Sequence, residues 1–129
     1  AQEVARRFPR VERVAITLRE SLSASHNNWG AMLYEKASDQ AWFAPLDAQG
    51  NYAPYEIRNI VDRVGAGDAF GGALVFALTT SALAAPETAV AYAVAASCLK
   101  HSIVGDFNRV SRSEIEALMH GGGSGRVQR

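Results

Sequence analysis

Cysteine is nearly absent: Cys98 is the single one in 129 residues. An internal disulfide framework is therefore excluded, and a reducing, cytoplasmic setting is expected. No apolar run approaches the roughly 18 residues that a membrane span requires, and the N-terminal stretch has none of the features of a signal peptide, so no membrane partner is expected. An excess of charge is missing too. Thirteen basic and thirteen acidic side chains cancel, which removes any broad electrostatic argument for nucleic acid. There is no Gly-x-x-x-x-Gly-Lys-(Ser/Thr) loop and no correctly spaced dinucleotide fingerprint. No internal repeat is visible. His26 stands in the polar run Ser21–Asn28 without a second His or Cys at ligand spacing. It reads as a solvated loop histidine, and no metal site is expected. What remains is a chain that is 48% apolar, enough for the core of one modest domain.

The richest stretch is Val61-Asp62-Arg63-Val64-Gly65-Ala66-Gly67-Asp68-Ala69-Phe70. A β-type run, Ile57 to Val61, leads in. A Gly-Ala-Gly turn follows, and a long apolar helix from about Ala66 to Thr80 leads out. Glycines at a loop-to-helix junction let backbone approach a ligand. The unpaired amides of the first turn and the positive end of the helix dipole favour an anion there. A carboxylate at Asp68 would repel a bound phosphate unless it has its own task, and taking a proton from an attacking hydroxyl is such a task.

The pattern Asp-x-x-Gly-Ala-Gly-Asp resembles the signature of the ribokinase-like (PfkB) sugar kinases. The resemblance implies an anion hole at Gly65, Ala66 and Gly67, with Asp68 as the catalytic base in contact with the substrate hydroxyl. It implies an α/β fold, the ribokinase-like (Rossmann-like) three-layer sandwich. The family usually has two threonines where this chain has Arg63 and Val64, a departure from any monovalent-cation site that uses this loop. Family members are considerably longer. The resemblance therefore implies that residues 1–120 are the C-terminal, nucleotide-binding part of a kinase, with a missing N-terminal part as partner, and it leaves room for a homo-oligomer.

Along the chain, Gln2 to Phe8 has helical spacing and Pro9 stops it. Arg13 to Leu18 reads as a short buried strand of a parallel sheet. At the ends of such strands ligands gather. The resemblance puts nucleotide phosphates near Thr17 and Arg19, and a guanidinium suits that role; a pairing of Arg19 with Glu20 or Asp62 is the plainer alternative. Trp29–Glu35 and Gln40–Pro45 read as an antiparallel hairpin turning at Ala37-Ser38-Asp39, a β-hairpin insertion in the sandwich, with Trp42 and Phe43 packed on the sheet or covering an edge. Leu46 to Ala53 is a turn. The helix after the motif carries Phe70, Ala73, Leu74, Ala77 and Leu78 on one face, and Val75 and Phe76 make it apolar nearly all round, so it is expected to be largely buried.

Pro86 opens an alanine-rich helix running to about His101. By resemblance it borders the adenine, through Val94, Ser97 and Cys98. Close helix packing explains the alanines equally well. Lys100 to Asn108 reads as a loop. Its order Lys-His-Ser-Ile-Val-Gly-Asp-Phe-Asn, together with Thr17-Leu18-Arg19-Glu20, Asn28-Trp29 and Asp62–Asp68, is similar to one subgroup, the 2-keto-3-deoxygluconate kinases. Ser111 and Glu114 form a capping box for a last helix that Gly121 ends. Residues 121–129 are glycine-rich and basic, and a flexible tail is expected.

The resemblance thus implies transfer of phosphate from ATP, with Mg²⁺ on the phosphates, to a small sugar acid. Alternatives are a related kinase for fructose or ribose, or a module that binds a nucleotide without turnover. The 129 residues alone are expected to phosphorylate sugar poorly or not at all.

Overall fold

The computed structural model describes residues 1–121. The expected flexible tail lies, beyond Gly121, outside the described residues. The elements run α1 (Gln2–Arg7), β1 (Arg13–Ser23), β2 (His26–Glu35), β3 (Gln40–Ala44), β4 (Tyr55–Arg58), α2 (Ala66–Thr79), α3 (Pro86–Lys100) and α4 (Arg112–His120). The architecture is α/β, as expected.

Strand β2 is the spine. Its whole length pairs antiparallel with β1. Its other edge is shared: Ala31–Glu35 pairs with β3, and His26–Trp29 pairs with β4. Between β3 and β4 the chain loops out through residues 45–54, closed by a bridge between Leu46 and Tyr52. Gly30 makes that excursion fit. A β-carbon there would lie 2.2 Å from the Tyr52 hydroxyl and 2.8 Å from the Ala44 carbonyl oxygen, so the tyrosine ring needs the missing side chain.

Asn27, Trp29, Ala31 and Leu33 alternate onto the inner face of β2 and are buried. Helix α3 packs on that face, against β2 and β3, and also takes contacts from α2 and α4. Eleven of its residues are buried. Pro86 sits in its first turn, and the Ser111–Glu114 capping box starts α4 as the sequence suggests. The core therefore lies between the sheet and α3.

Three expectations are corrected. The Arg13–Leu18 strand is neither parallel nor buried. It runs on to Ser23, pairs antiparallel with β2 and is largely exposed, because its hydrophobic run meets no packed layer among the described residues. The Ser21–Asn28 loop is instead the tip of that hairpin, turning at Ala24-Ser25. Polar residues occupy the strand ends there because inter-strand amide pairing satisfies the backbone whatever the side chains are. Helix α2 is not largely buried. Phe70, Leu74 and Ala77 point inward as expected, but Val75 is 64% and Phe76 44% exposed, since among the described elements α2 packs extensively only against α3.

Candidate functional site

The loop-to-helix corner is built from side chain to backbone contacts. Gly65 is the N-cap of α2 with φ 79° and ψ 0°, a left-handed conformation that suits glycine. A β-carbon at Gly65 would lie 2.1 Å from the Asp106 carbonyl oxygen. The 101–106 segment is thus pressed directly against the turn.

Asp62 ties the two together. Its carboxylate accepts the Val64 amide at 3.0 Å and the Gly105 amide at 2.8 Å. Those bonds hold its carboxyl below the usual range. The Val61 and Asp62 amides in turn donate to the His101 carbonyl at 2.9 and 3.2 Å. Arg63 fixes a third segment: its guanidinium donates to the carbonyls of Ser23 and Ala24, at 3.2 and 2.5 Å. The residue that departs from the family pattern is therefore engaged, holding the β1–β2 tip against the motif.

In this frame Asp68 stands in the first turn of α2, exposed to solvent. No turn, loop or cap bond among the described residues engages the amides of Gly65, Gly67 or Asp68, while Ala66 makes a long 3.4 Å bond to the Arg63 carbonyl. Gly67 is exposed, with nothing within 4 Å of the place a β-carbon would take. Open amides at a helix N-terminus next to a free carboxylate can bind an anion and accept a proton at neighbouring points.

Thr17 and Arg19 lie on β1 opposite Ala31 and Trp29, on the inner face of the sheet. Arg19 pairs with neither Glu20 nor Asp62. It donates to Ser21 Oγ at 3.2 and 3.0 Å, and Glu20 accepts from Asn28 instead. The Ser21 hydroxyl donates to Asn27 Oδ1 at 3.2 Å. Asn27 has no exposed surface, and its Nδ2 has no partner. The same end of the sheet holds Trp29, whose indole meets the His101 ring edge-on at 4.8 Å. Burial lowers the pKa of His101, and its Nδ1 lies 2.8 Å from the Ser97 carbonyl.

Val94, Ser97 and Cys98 are not on this surface. Their exposures are 0%, 0% and 1%. Ser97 accepts the Trp29 indole N–H at 2.7 Å and donates to the Val94 carbonyl. Burial pushes the Cys98 thiol up to about 12. The alanine-rich character of α3 serves close packing here, and the adenine border expected of these three residues is not formed by exposed surface. His26 lies on the outer face with Nε2 at 3.1 Å from Glu56 Oε1, off the hydrogen-bonding direction.

A concavity of about 980 Å³ lies between β3, the 45–54 loop and the first turns of α3, and includes Trp42, Tyr52, Glu87, Ala91 and Met119. It contains none of the candidate residues. It sits at the opposite end of α3 from Lys100, about 20 Å away at 1.5 Å rise per residue. Among the described residues no group of three or more His, Cys, Asp or Glu is placed to hold a metal, and no helix is long and apolar enough to cross a membrane.

Sequence reasoning did not assign the roles of Arg63, Lys100, His101 and Asp106. The signal for the last three was present in the Lys100–Asn108 segment, which reads as a loop until its partners are known, and that for Arg63 in its departure from the family pattern.

Comparison with known proteins bears on this corner. Residues 17–108 match the pfkB family carbohydrate kinase model. A 2-dehydro-3-deoxygluconokinase structure from Thermotoga maritima superposes with a TM-score of 0.76 at 43% identity, over 92% of this chain and 32% of that one. A PfkB family carbohydrate kinase from Listeria grayi superposes at 0.79 with 31% identity, over 92% of this chain and 33% of that one. A 2-dehydro-3-deoxygalactonokinase of Haloferax volcanii is 40% identical over 65 residues, half of this chain and 20% of that protein. The chain thus spans no more than about a third of the length of these relatives. With the family match extending over residues 17–108, from Thr17 to the far side of the 101–106 segment, the chain belongs to the pfkB family of carbohydrate kinases.

Proposed function

We propose that this chain is the phosphoryl-handling part of a longer, cytoplasmic kinase that transfers phosphate from MgATP to a hydroxyl of a 2-dehydro-3-deoxy sugar acid, the 2-keto-3-deoxygluconate class. The observation that carries the reading is the exposed Asp68 carboxylate one turn from the left-handed Gly65, beside the unengaged Gly65 and Gly67 amides. Two relatives, one named for the glucono and one for the galacto epimer, support the sugar-acid class.

In this mechanism the substrate hydroxyl oxygen attacks the γ-phosphorus and its proton passes to Asp68. The bond to the bridging oxygen breaks, and ADP leaves. Charge on the moving group meets the amides of Gly65, Ala66 and Gly67, with Ala66 giving up its long bond to Arg63. Fixed donors aimed at developing charge are the main source of rate in such transfers. Arg19, on the neighbouring hairpin, holds a terminal phosphate by exchanging its Ser21 partner for phosphate oxygens, and Thr17 lies beside it. Mg²⁺ would come with the nucleotide as part of the substrate and would supply charge neutralisation on the phosphates; among the described residues no group of three or more His, Cys, Asp or Glu is placed to hold it.

The test is Asp68→Asn in the full-length kinase, assayed with both epimers. Turnover falls by at least roughly 10²-fold, as for loss of a general base, while nucleotide affinity stays. Unchanged turnover would remove Asp68 from the chemistry, and turnover of neither epimer by the parent enzyme would remove the substrate class.

A further inference from the structure

The β1–β2 hairpin carries Arg19, yet its own strands hold its tip poorly. Regular pairing ends at Ser21 and Asn27, the register shifts before Ser23 and His26, and Leu22 has no partner in the ladder. Among the described residues β1 pairs with β2 only, so its other edge is open. A bulged end on an edge strand bends and twists unless something outside the ladder fixes it. Here the fixing comes from the residues around the motif. The Ile60 amide donates to the Ser25 carbonyl at 3.2 Å. The half-buried Arg63 donates through one nitrogen, Nη2, to the carbonyls of Ser23 and Ala24, at 3.2 and 2.5 Å. No carboxylate among the described residues forms an ion pair with Arg63. Its charge therefore faces two carbonyl dipoles at the tip instead of an acidic neighbour.

Arg19 stands four residues before Ser23. It holds Ser21, the last regularly paired residue, through Nε and Nη2 at 3.2 and 3.0 Å. The Arg19 charge also acts on His101, whose carbonyl receives the amides of Val61 and Asp62. Two routes thus join Arg19 to the motif, one through His101 and one through the tip. We propose that Arg63 is a positioning residue for Arg19: by pinning the bulged tip of the hairpin to the turn before Gly65, it sets where the Arg19 guanidinium meets the terminal phosphate of the nucleotide. An arginine suits the task because its long stem carries a permanent charge and several N–H donors in one plane, enough to hold two successive carbonyls. Asp62 and Arg63 then divide the corner between them. Asp62 holds the Gly105 side and Arg63 the hairpin side. The tether touches no reacting atom, so its effect falls on phosphate affinity and not on the proton transfer at Asp68.

This inference rests on the phosphate role given to Arg19 in the proposed function. Its test measures kcat and KM for ATP in the full-length kinase, for Arg63→Ala, Arg63→Lys, Arg19→Ala and the Arg19→Ala, Arg63→Ala double variant. Arg63→Ala and Arg19→Ala each raise KM for ATP by roughly 10-fold, the scale of one hydrogen bond to a charged group, while kcat changes far less. Arg63→Lys, which keeps the charge, restores part of the loss. The double variant is no worse than Arg19→Ala, because residues that act through one another are not additive. A merely structural role would give independent, multiplying effects. Multiplying effects in the double variant, a fall in kcat with KM unchanged, or an Arg63→Ala enzyme with the parent's kinetics would each overturn the inference while leaving the kinase reading intact. Should Arg63→Ala not fold, Arg63→Lys closes the same cycle: its smaller rise in KM vanishes in the Arg19→Ala background, and persistence of the rise there overturns the inference. An Arg19→Ala enzyme with the parent's KM would remove Arg19 from the phosphate and the inference with it, and leave Asp68 in its role. Absence of turnover by the parent would instead overturn the kinase reading.

Discussion

Helices α2 and α3 are close in length, fold back on each other and are both rich in apolar and small residues, yet they live differently. In α2 four of 14 residues are buried, and bulky Val75 and Phe76 face outward. In α3 eleven of 15 are buried, and even the charged Lys100 is inside. The more strongly apolar helix is the more exposed one. What separates them is place in the stack. Helix α3 has the sheet on one side and α2 and α4 on others, whereas the extensive packing of α2 among the described elements is against α3. The open helix carries at its N-terminus the chemistry proposed above; the closed one packs into the core beside it.

The comparison can be broken at its corner first. Gly65→Ala places a methyl group on the Asp106 carbonyl in a conformation that costs a non-glycine residue about 1–3 kcal/mol. Turnover is expected to fall by more than roughly 10²-fold, with the helices still folded by circular dichroism. Near-normal turnover would mean that contact with the 101–106 segment is dispensable. Next, Ser97→Ala removes the acceptor of the buried Trp29 indole. Urea unfolding should show a loss of about 1–3 kcal/mol, against a small change in turnover measured with saturating substrates. A large loss of turnover with stability unchanged would return Ser97 to the ligand surface. The smallest effect is on the outer face of α2. Val75→Thr should shift stability by no more than about 0.5 kcal/mol, because the side chain is already 64% exposed. A larger shift would show that something covers α2 and would erase the contrast.

Much of the corner was legible beforehand. The order Gly-Ala-Gly-Asp before an apolar run is a local signal, and it marks both the start of α2 and the place of Asp68. The inward face through Phe70, Leu74 and Ala77 follows from helical spacing. Other features were hidden for identifiable reasons. A short apolar strand such as Val14–Leu18 carries no mark of its pairing direction, so parallel and antiparallel neighbours could not be told apart. The alanines of α3 permit a flat ligand or a packed helix, and in this structure the indole of Trp29 reaches Ser97 within the packed interior. Arg19 found Ser21, two residues along its own strand, rather than either acidic neighbour.

Within a few positions of each residue, the sequence alone determined the capping box at Ser111 and Glu114, the helix start at Pro86 and the left-handed turn at Gly65, because caps and turns depend on neighbouring φ and ψ angles and short side chains. Only the tertiary structure decided that Arg63 reaches the β1–β2 tip, that Asp62 holds Gly105, and that Lys100 is enclosed. The first two link residues about forty positions apart, and the third depends on what closes over the end of α3. Such contacts arise from the stacking of whole elements, and the local pattern of any one element is compatible with several stackings.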